Sequence, residues 1–483
     1  MKVLLELRPA LDGHAGIPQA ARLLFRALRR LDGVEVEGLL QSSTRLLARG
    51  LPVDGAADWP ADRRLDRLSR VVVSLQPGRW FFPGEIVSAV LRLAGGALGL
   101  RQPLTRFDAA PFHDVVWRLL FARTLPPEDF DSVTSAGFRI AQAPWSGMHR
   151  MALATRLFGG PRYPRLDTRG VDVMVAETPY PGRVAPGTRL VVRYHDAIPV
   201  LMPHTIADRA HHRAAHFNAL RRNVRDGAWF ACVSDASRRD LLSIFPQAAP
   251  RALTIPNMVS PSYFRDEAGP QRLPDILAMR RHRKLDGVDT PAIVRYGHEG
   301  MDYLLMVSTL EPRKNHLTLL SAWEQLRNGG FPNLQLVLVG MLGWDHKAIV
   351  AKLRPWLGRG ALHVLEDVPA AELRLLYRHA RATVCPSYGE GFDFSGVEAM
   401  RCGCPVAASD IPVHRDVYGA AAAYFSPYAA GQTAEVLAGI IGPAAAERRE
   451  ALVAEGEQVA ARYLPERVLP QWQAFLEQIV RKD

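Results

Sequence analysis

The sequence predicts an α/β protein made of two doubly wound lobes that face a shared cleft. Three observations lead there. Short apolar runs alternate with helix-period segments through the C-terminal half, the same alternation recurs less regularly in the N-terminal half, and a polar, basic, proline-containing stretch from Asp266 to Gly300 lies between them. Strands that alternate with helices form parallel sheets covered on both faces, and such sheets bind ligands beyond the carboxyl ends of their strands.

Taken in order, the C-terminal half reads as strands at Tyr303–Ser308, Leu334–Gly340, Ala361–Leu365, Ala382–Pro386, Pro405–Ala408 and Ala421–Phe425. Helix-period segments lie between them at His316–Arg327 and Ala371–Arg381. In the N-terminal half, Lys2–Leu7 reads as a strand, followed by a turn with Gly13 and Gly16 and a helix from Ile17 to Leu31. Further strands are expected at Val71–Leu75, Val171–Ala176, Leu190–Tyr194 and Phe230–Ser234. Residues 54–170 are rich in proline and weakly periodic, and read as insertions without an assigned fold. The expected division is an N-terminal lobe over 1–285, a C-terminal lobe over 300–465, and an amphipathic helix over 466–483 that packs back on the N-terminal lobe.

Composition narrows the function. The chain has 483 residues, 48% hydrophobic and 23% charged, which suits two or three globular domains. The longest apolar candidate, Ile86–Leu100, is interrupted by Arg92 and falls short of the roughly 20 residues that span a bilayer. No early stretch combines a basic start, an apolar run and a small-residue cleavage site, so a cytoplasmic protein is expected. The four cysteines, Cys232, Cys385, Cys402 and Cys404, read as small buried thiols, since Cys402-Gly-Cys404 has no second pair at zinc-like spacing. The net charge of +11 is spread over dispersed arginines, with clusters at Arg221–Arg225 and Arg280–Lys284. Neither cluster is interleaved with aromatics, so nucleic acid is not an expected partner, whereas peripheral contact with an anionic membrane is compatible with the charge.

The chemistry-bearing residues fall at predicted strand ends. Glu390 and Glu398 occupy Tyr388-Gly-Glu-Gly-Phe-Asp-Phe-Ser-Gly-Val-Glu398, just after the strand ending near Pro386. Ser395-Gly-Val-Glu398 has the form of a capping box, which would open a helix whose free N–H groups and positive dipole end suit a phosphate. Arg313 and Lys314, in the loop Ser308–His316, are adjacent cations suited to a diphosphate. His195 follows a strand in Tyr194-His-Asp-Ala-Ile-Pro199, where it could donate to a sugar hydroxyl or a phosphate. Taken alone, each has an ordinary alternative as a solvated charge, a cap or a structural histidine.

Together these stretches resemble one family. TLEPRKN at 309–315, EGFDFSGVEAMRCGCPV at 390–406 and SDIPVHRD at 409–416 look like the donor lobe of family-four glycosyltransferases, with their paired glutamates matched by Glu390 and Glu398. HDAIP at 195–199, VSDASRRDL at 233–241 and IPNMV at 255–259 resemble acceptor-lobe motifs of the same family, in the same order. The resemblance covers roughly residues 189–465 and the first 30 or so. It implies a GT-B fold of two Rossmann-like domains and transfer with retention from a nucleotide diphosphate sugar, with no metal or other cofactor.

By the family pattern, Glu390 and His195 would act at the transferred sugar and Glu398 would hold the ribose. Lys314 and Arg313 would neutralise the diphosphate, with Thr309, Phe392, Asp393, Phe394 and Ser395 lining the donor site and Gly16 approaching from the other lobe. Many members carry an arginine where this chain has Thr309, and the usual glycine and proline after Gly391-Phe392 are replaced around Asp393 and Ser395. The branch resembled is that of bacterial polysaccharide mannosyltransferases, which makes GDP-mannose the expected donor and a glycan or lipid-linked oligosaccharide the expected acceptor. Ranked below it are a UDP-sugar-dependent transferase, a sugar-nucleotide epimerase on the same fold, a nucleic-acid-modifying transferase and a non-catalytic sugar-binding module.

Overall fold

The computed structural model describes residues 1–13, 16–55, 58–76, 94–95, 99–156, 160–282, 285 and 301–481. Its N-terminal lobe is built on an eight-stranded sheet. From one edge to the other the strands are Ala252–Thr254, Trp229–Cys232, Arg189–Tyr194, Val173–Ala176, Lys2–Glu6, Glu35–Leu40, Gly137–Ile140 and Thr105–Phe107. All neighbours pair in parallel except the last, Thr105–Phe107, which runs antiparallel to Gly137–Ile140. The C-terminal lobe has six strands, all parallel, in the order Leu362–Leu365, Gln335–Val339, Tyr303–Val307, Ala382–Cys385, Val406–Ser409 and Ala422–Phe425. These strands are continuous apolar runs because helices cover both faces of each sheet.

Each sheet has a point where the winding direction reverses. In the N-terminal lobe it falls between Lys2–Glu6 and Val173–Ala176, and in the C-terminal lobe between Tyr303–Val307 and Ala382–Cys385. Loops leaving the carboxyl ends of such strand pairs diverge to opposite faces and leave a crevice. The loops that leave Val307 and Cys385 carry Arg313, Lys314 and Glu390.

The course of the chain differs from the sequence reading in three places. Val71–Leu75 is the end of a helix, Ala61–Leu75, and not a strand. Its β-branched run favours strand by composition, but Leu68, Val71 and Leu75 are buried while Val73 is 48% exposed, the spacing of a helix laid on a core. Residues 54–170 contribute two strands to the main sheet and so belong to the lobe itself. The stretch beginning at Asp266 folds onto the C-terminal lobe as far as residue 282. A helix at Leu273–Met279 buries Leu273, Ile276 and Leu277 in the core shared with Tyr303 and Leu376, and Arg280 pairs with Glu372 at 2.6 Å. Three apolar side chains at helical spacing outweigh the polar composition around them. Residues 286–300, with most of the apolar segment around residue 90 and the basic pair Arg283 and Lys284, lie outside the described residues.

The helix Pro465–Arg481 crosses back to the N-terminal lobe. Val468, Trp472, Phe475, Leu476 and Ile479 are buried in one cluster with Val3, Leu24, Leu28 and Trp229. Phe475 meets Trp229 edge-on at 5.9 Å. All four cysteines are buried and free, and burial raises the Cys404 thiol to about 12. Among the described residues no helix is long and apolar enough to cross a membrane.

Candidate functional site

The two loops at the C-terminal switch point meet in an ion cluster. Lys314 Nζ lies 2.6 Å from Glu390 Oε1, and Arg313 Nη1 lies 2.9 Å from Glu390 Oε2. Arg313 also donates to the Gly389 carbonyl at 2.6 Å and to Glu311 at 2.8 Å. The Glu390 side chain is only 8% exposed. Burial alone would raise its carboxyl, but Arg313 and Lys314 more than offset this and hold it below its ordinary value. Burial outweighs the same cations at Glu311, whose carboxyl is raised.

The local backbone is built for this contact. Asn315 sits in the left-handed region at φ 62° and caps the turn containing Arg313 and Lys314. Its side-chain amide donates to the carbonyls of Pro386 and Pro427 at 2.9 and 2.8 Å, tying the cation loop to the loop that carries Glu390. Asp393, at φ 64°, is the second left-handed residue beside the site. Strained backbone of this kind persists where the surroundings over-determine it.

Asp393, and not Ser395, caps the helix Phe394–Arg401, which corrects the capping box expected at Ser395-Gly-Val-Glu398. The Asp393 carboxylate accepts from Ser395 N at 3.3 Å and from Ser395 Oγ at 2.6 Å. Its other oxygen faces His414 Nε2 at 3.2 Å. Burial opposes the charge, yet the His414 contact, Lys314 and Ser395 pull the Asp393 carboxyl well down. The helix terminus expected to receive a phosphate therefore already carries a carboxylate of its own.

Glu398, freed from a capping role, is 4% exposed and meets the N-terminal lobe. Gln19 of the N-terminal lobe donates to its Oε1 at 2.8 Å, and Tyr377 OH donates to its Oε2 at 3.1 Å. Burial raises the Glu398 carboxyl to about 7, against the lowering by these two hydrogen bonds. Gln19 lies in the first turn of the helix Ile17–Leu28, whose N-cap Gly16 has φ 66°, a conformation available to glycine at little cost. Gly16 and Gln19 thus bring the N-terminal lobe to Glu398. His14 and Ala15, within the Gly13–Gly16 turn, lie outside the described residues.

His195 reaches the same place from the N-terminal lobe. Its carbonyl accepts from Ser237 Oγ at 2.8 Å, and Ser234 Oγ donates to the Gly391 carbonyl at 2.8 Å. Any side chain at 391 would collide with the His195 carbonyl oxygen, so the two loops pass in direct backbone contact. The His195 ring lies 3.4 Å from Glu177 Oε2.

The remaining donor-site expectations divide. Thr309 is half-buried just beyond the strand Tyr303–Val307, and Phe394 is half-buried at the helix start. Phe392 is turned into the core, 4% exposed and edge-on to Phe394 and Tyr463 at 5.2 and 5.0 Å. Sequence reasoning missed Gln19, Tyr377 and Glu177. The first two carry no motif, since one is a helix-surface amide and the other a core tyrosine. Glu177 had a signal that could have found it, an acid directly after a predicted strand.

Comparison with known proteins bears on the same residues. Residues 294–458 match the family described as Glycosyl transferases group 1. O-antigen chain mannosyltransferase B of Escherichia coli is 30% identical over 195 residues, 40% of this chain and 46% of that protein. The serotype-specific mannosyltransferase WbdA of Escherichia coli is 36% identical over 135 residues, 28% of this chain and 16% of that protein. The chain thus spans under half the length of these curated relatives. Sucrose-phosphate synthase from Thermosynechococcus elongatus superposes with a TM-score of 0.59 at 16% identity, over 100% of both chains. Anabaena HepE, solved in complex with UDP-glucose, gives 0.55 at 15% identity over 99% of this chain and 100% of that one. The two sheets, each with its switch point, form a GT-B fold, and residues 294–458 are the part of the chain that resembles group 1 glycosyltransferases.

Proposed function

We propose that the protein transfers a hexosyl group, mannose from GDP-mannose, to a glycan or lipid-linked oligosaccharide in the synthesis of a bacterial surface or exported polysaccharide, with retention of anomeric configuration. The observation that carries this reading is the Arg313–Lys314–Glu390 cluster at the C-terminal switch point, within a chain whose relatives are named as O-antigen chain and serotype-specific mannosyltransferases. A departing nucleoside diphosphate gains negative charge, and cations already fixed in a water-poor site stabilise it without reorganising. Lys314 supplies a compact charge and Arg313 a planar fork. Glu390, once its cations turn to phosphate, is left to accept hydrogen bonds from sugar hydroxyls.

Glu398 accepts from the ribose diol in place of Gln19. His195, held against the Glu390 loop by the Gly391 contact, faces the transferred sugar. With Glu390 taken up by hydrogen bonds from sugar hydroxyls, departure and attack proceed on one face of the sugar, without attack by an enzyme carboxylate. The diphosphate then takes the proton of the acceptor hydroxyl. The leaving charge is matched by side chains, so the reaction is assigned no metal. Placement at the inner membrane face, by contact of basic residues with anionic lipid, is part of the same proposal.

One experiment tests all of this. The chain is incubated with GDP-mannose or UDP-sugars, a mannose-bearing acceptor and excess EDTA, and the product linkage is read by proton NMR. The expected product is an α-mannoside made from GDP-mannose. A β-linked product overturns retention, transfer from a UDP-sugar alone overturns the mannosyl reading, and loss of turnover restored by magnesium overturns metal independence.

A further inference from the structure

The proposed mechanism uses the His195 ring, but not the charges buried behind it. Glu177 directly follows the strand Val173–Ala176 and is fully buried. The neighbouring strand, in register as Ala176 opposite Val192, ends in Arg193 and Tyr194, and His195 follows directly. Residues two apart point to the same face of a strand, so Arg193 and His195 both turn toward Glu177. Arg193 Nη1 lies 3.3 Å from Glu177 Oε2, and His195 Nε2 lies 3.4 Å from the same oxygen.

The network continues on both sides. Arg193 Nη2 donates to Asn257 Oδ1 at 2.6 Å, within the segment Ile255–Val259. The Glu177 N–H donates to Glu6 Oε2 at 2.9 Å, and Arg8 binds Glu6 Oε1 at 2.6 Å. Two carboxylates and two guanidiniums are thus sunk at the carboxyl ends of three adjacent strands. Such pairs cost about as much in desolvation as they return, and apolar replacements are often equally stable. What the arrangement gives in addition is a fixed direction. A carboxylate oxygen without a proton can only accept, so a ring that donates to Glu177 carries that hydrogen on Nε2. In the neutral ring this leaves Nδ1 as the accepting nitrogen, fit for a hydroxyl hydrogen.

We propose that Glu177 is a positioning residue for His195, fixing its ring orientation and holding its hydrogen on Nε2, with Arg193 and Asn257 fixing Glu177 in turn. The catalytic consequence rests on the transferase reading, but the tautomer does not.

The test has two arms. In the first, histidines are labelled with 15N, and the His195 ring signals are identified by their absence in His195→Gln. The unsubstituted chain is expected to show Nε2 as the hydrogen-bearing nitrogen. Glu177→Gln, whose amide can donate as well as accept, should lose or reverse that preference, and Glu177→Asp should restore it. An Nδ1–H tautomer in the unsubstituted chain, or an unchanged tautomer in folded Glu177→Gln, overturns the proposal. If Glu177→Gln does not fold because Arg193 faces a neutral partner, the pair Glu177→Gln with Arg193→Met removes both charges and takes the same measurement.

The second arm is a rate cycle. Glu177→Gln and His195→Gln should each slow transfer by roughly 10- to 100-fold. Because the first acts through the second, the double variant should be no slower than the slower single. A double variant slowed by the product of the two overturns the coupling. If no transfer is found with any donor, the transferase reading fails while the tautomer measurement still decides the position of Glu177.

Discussion

At the scale of single residues, the site is a set of opposite charges held close together. Lys314 and Glu390 satisfy each other at 2.6 Å, so a diphosphate must draw the lysine from a carboxylate to a phosphate. Lys314→Ala and Glu390→Gln should each slow transfer by about 100- to 1,000-fold, the usual cost of losing one preorganised electrostatic contact. Circular dichroism should show both folded, and near-normal kcat in either removes that residue from its role. Glu398 makes a prediction about pH. Its carboxyl titrates at about 7 in the folded chain against an ordinary 4.5, so the folded state holds this proton more tightly. The stability it contributes is fully present below about 4.5 and is lost as pH rises through 7. In the role proposed for Glu398 the ribose hydroxyls donate to the ionised form, so nucleotide affinity should rise about tenfold between pH 6 and pH 8. Titration calorimetry checks this, with Glu398→Gln as the reference in which the site contributes no slope. An equal slope in that variant assigns the titration elsewhere.

At the scale of elements, the two lobes touch through loops that need small residues. Gly391 packs against the His195 carbonyl, and Ser234 Oγ donates to the Gly391 carbonyl. Gly391→Ala must push these loops apart, at a cost of about 1–3 kcal/mol for a clash with backbone. The melting temperature should fall by several degrees, with transfer reduced because His195 moves with the loop. An unchanged melting temperature shows that the loops yield freely. The same scale explains what the sequence made legible. The strands Tyr303–Val307, Gln335–Val339 and Ala382–Cys385 could be read because burial on both faces leaves unbroken apolar runs between helical stretches. The Glu390 loop could be read because its motif is contiguous. Gln19 with Glu398 could not, since the pair spans 379 residues and neither side chain departs from its local pattern. Val71–Leu75 failed for the opposite reason, because local composition favoured strand while a distant core selected helix. Asp393 took the cap from Ser395 because its carboxylate reaches both the Ser395 N–H and hydroxyl, which spacing alone does not reveal.

At the scale of the whole molecule, the chain crosses between lobes more than once, and the last crossing acts as a strap. The helix Ala446–Ala461 packs on the C-terminal lobe, where Val459 and Ala460 join the core of Tyr377 and Met400. The helix Pro465–Arg481 then buries its apolar face in the N-terminal lobe. Trp472 is fully buried there, meeting Phe475 edge-on at 5.9 Å. Removing its indole leaves a cavity that the rigid sheet behind it cannot close, at about 3–5 kcal/mol. The loss falls on the N-terminal lobe alone, because Trp472 shares its cluster with Val3, Leu24 and Trp229 and with no strand of the C-terminal sheet. Trp472→Ala should therefore separate a single melting transition into two, the N-terminal lobe unfolding first. A nucleotide bound to the C-terminal lobe stabilises only the state that binds it. Calorimetry with and without the nucleotide that the intact chain binds should then show the upper transition shifting and the lower one moving little. A single transition that shifts as a whole would show instead that the strap and the cleft contacts at Gly391 and Gln19 couple the two lobes into one cooperative unit.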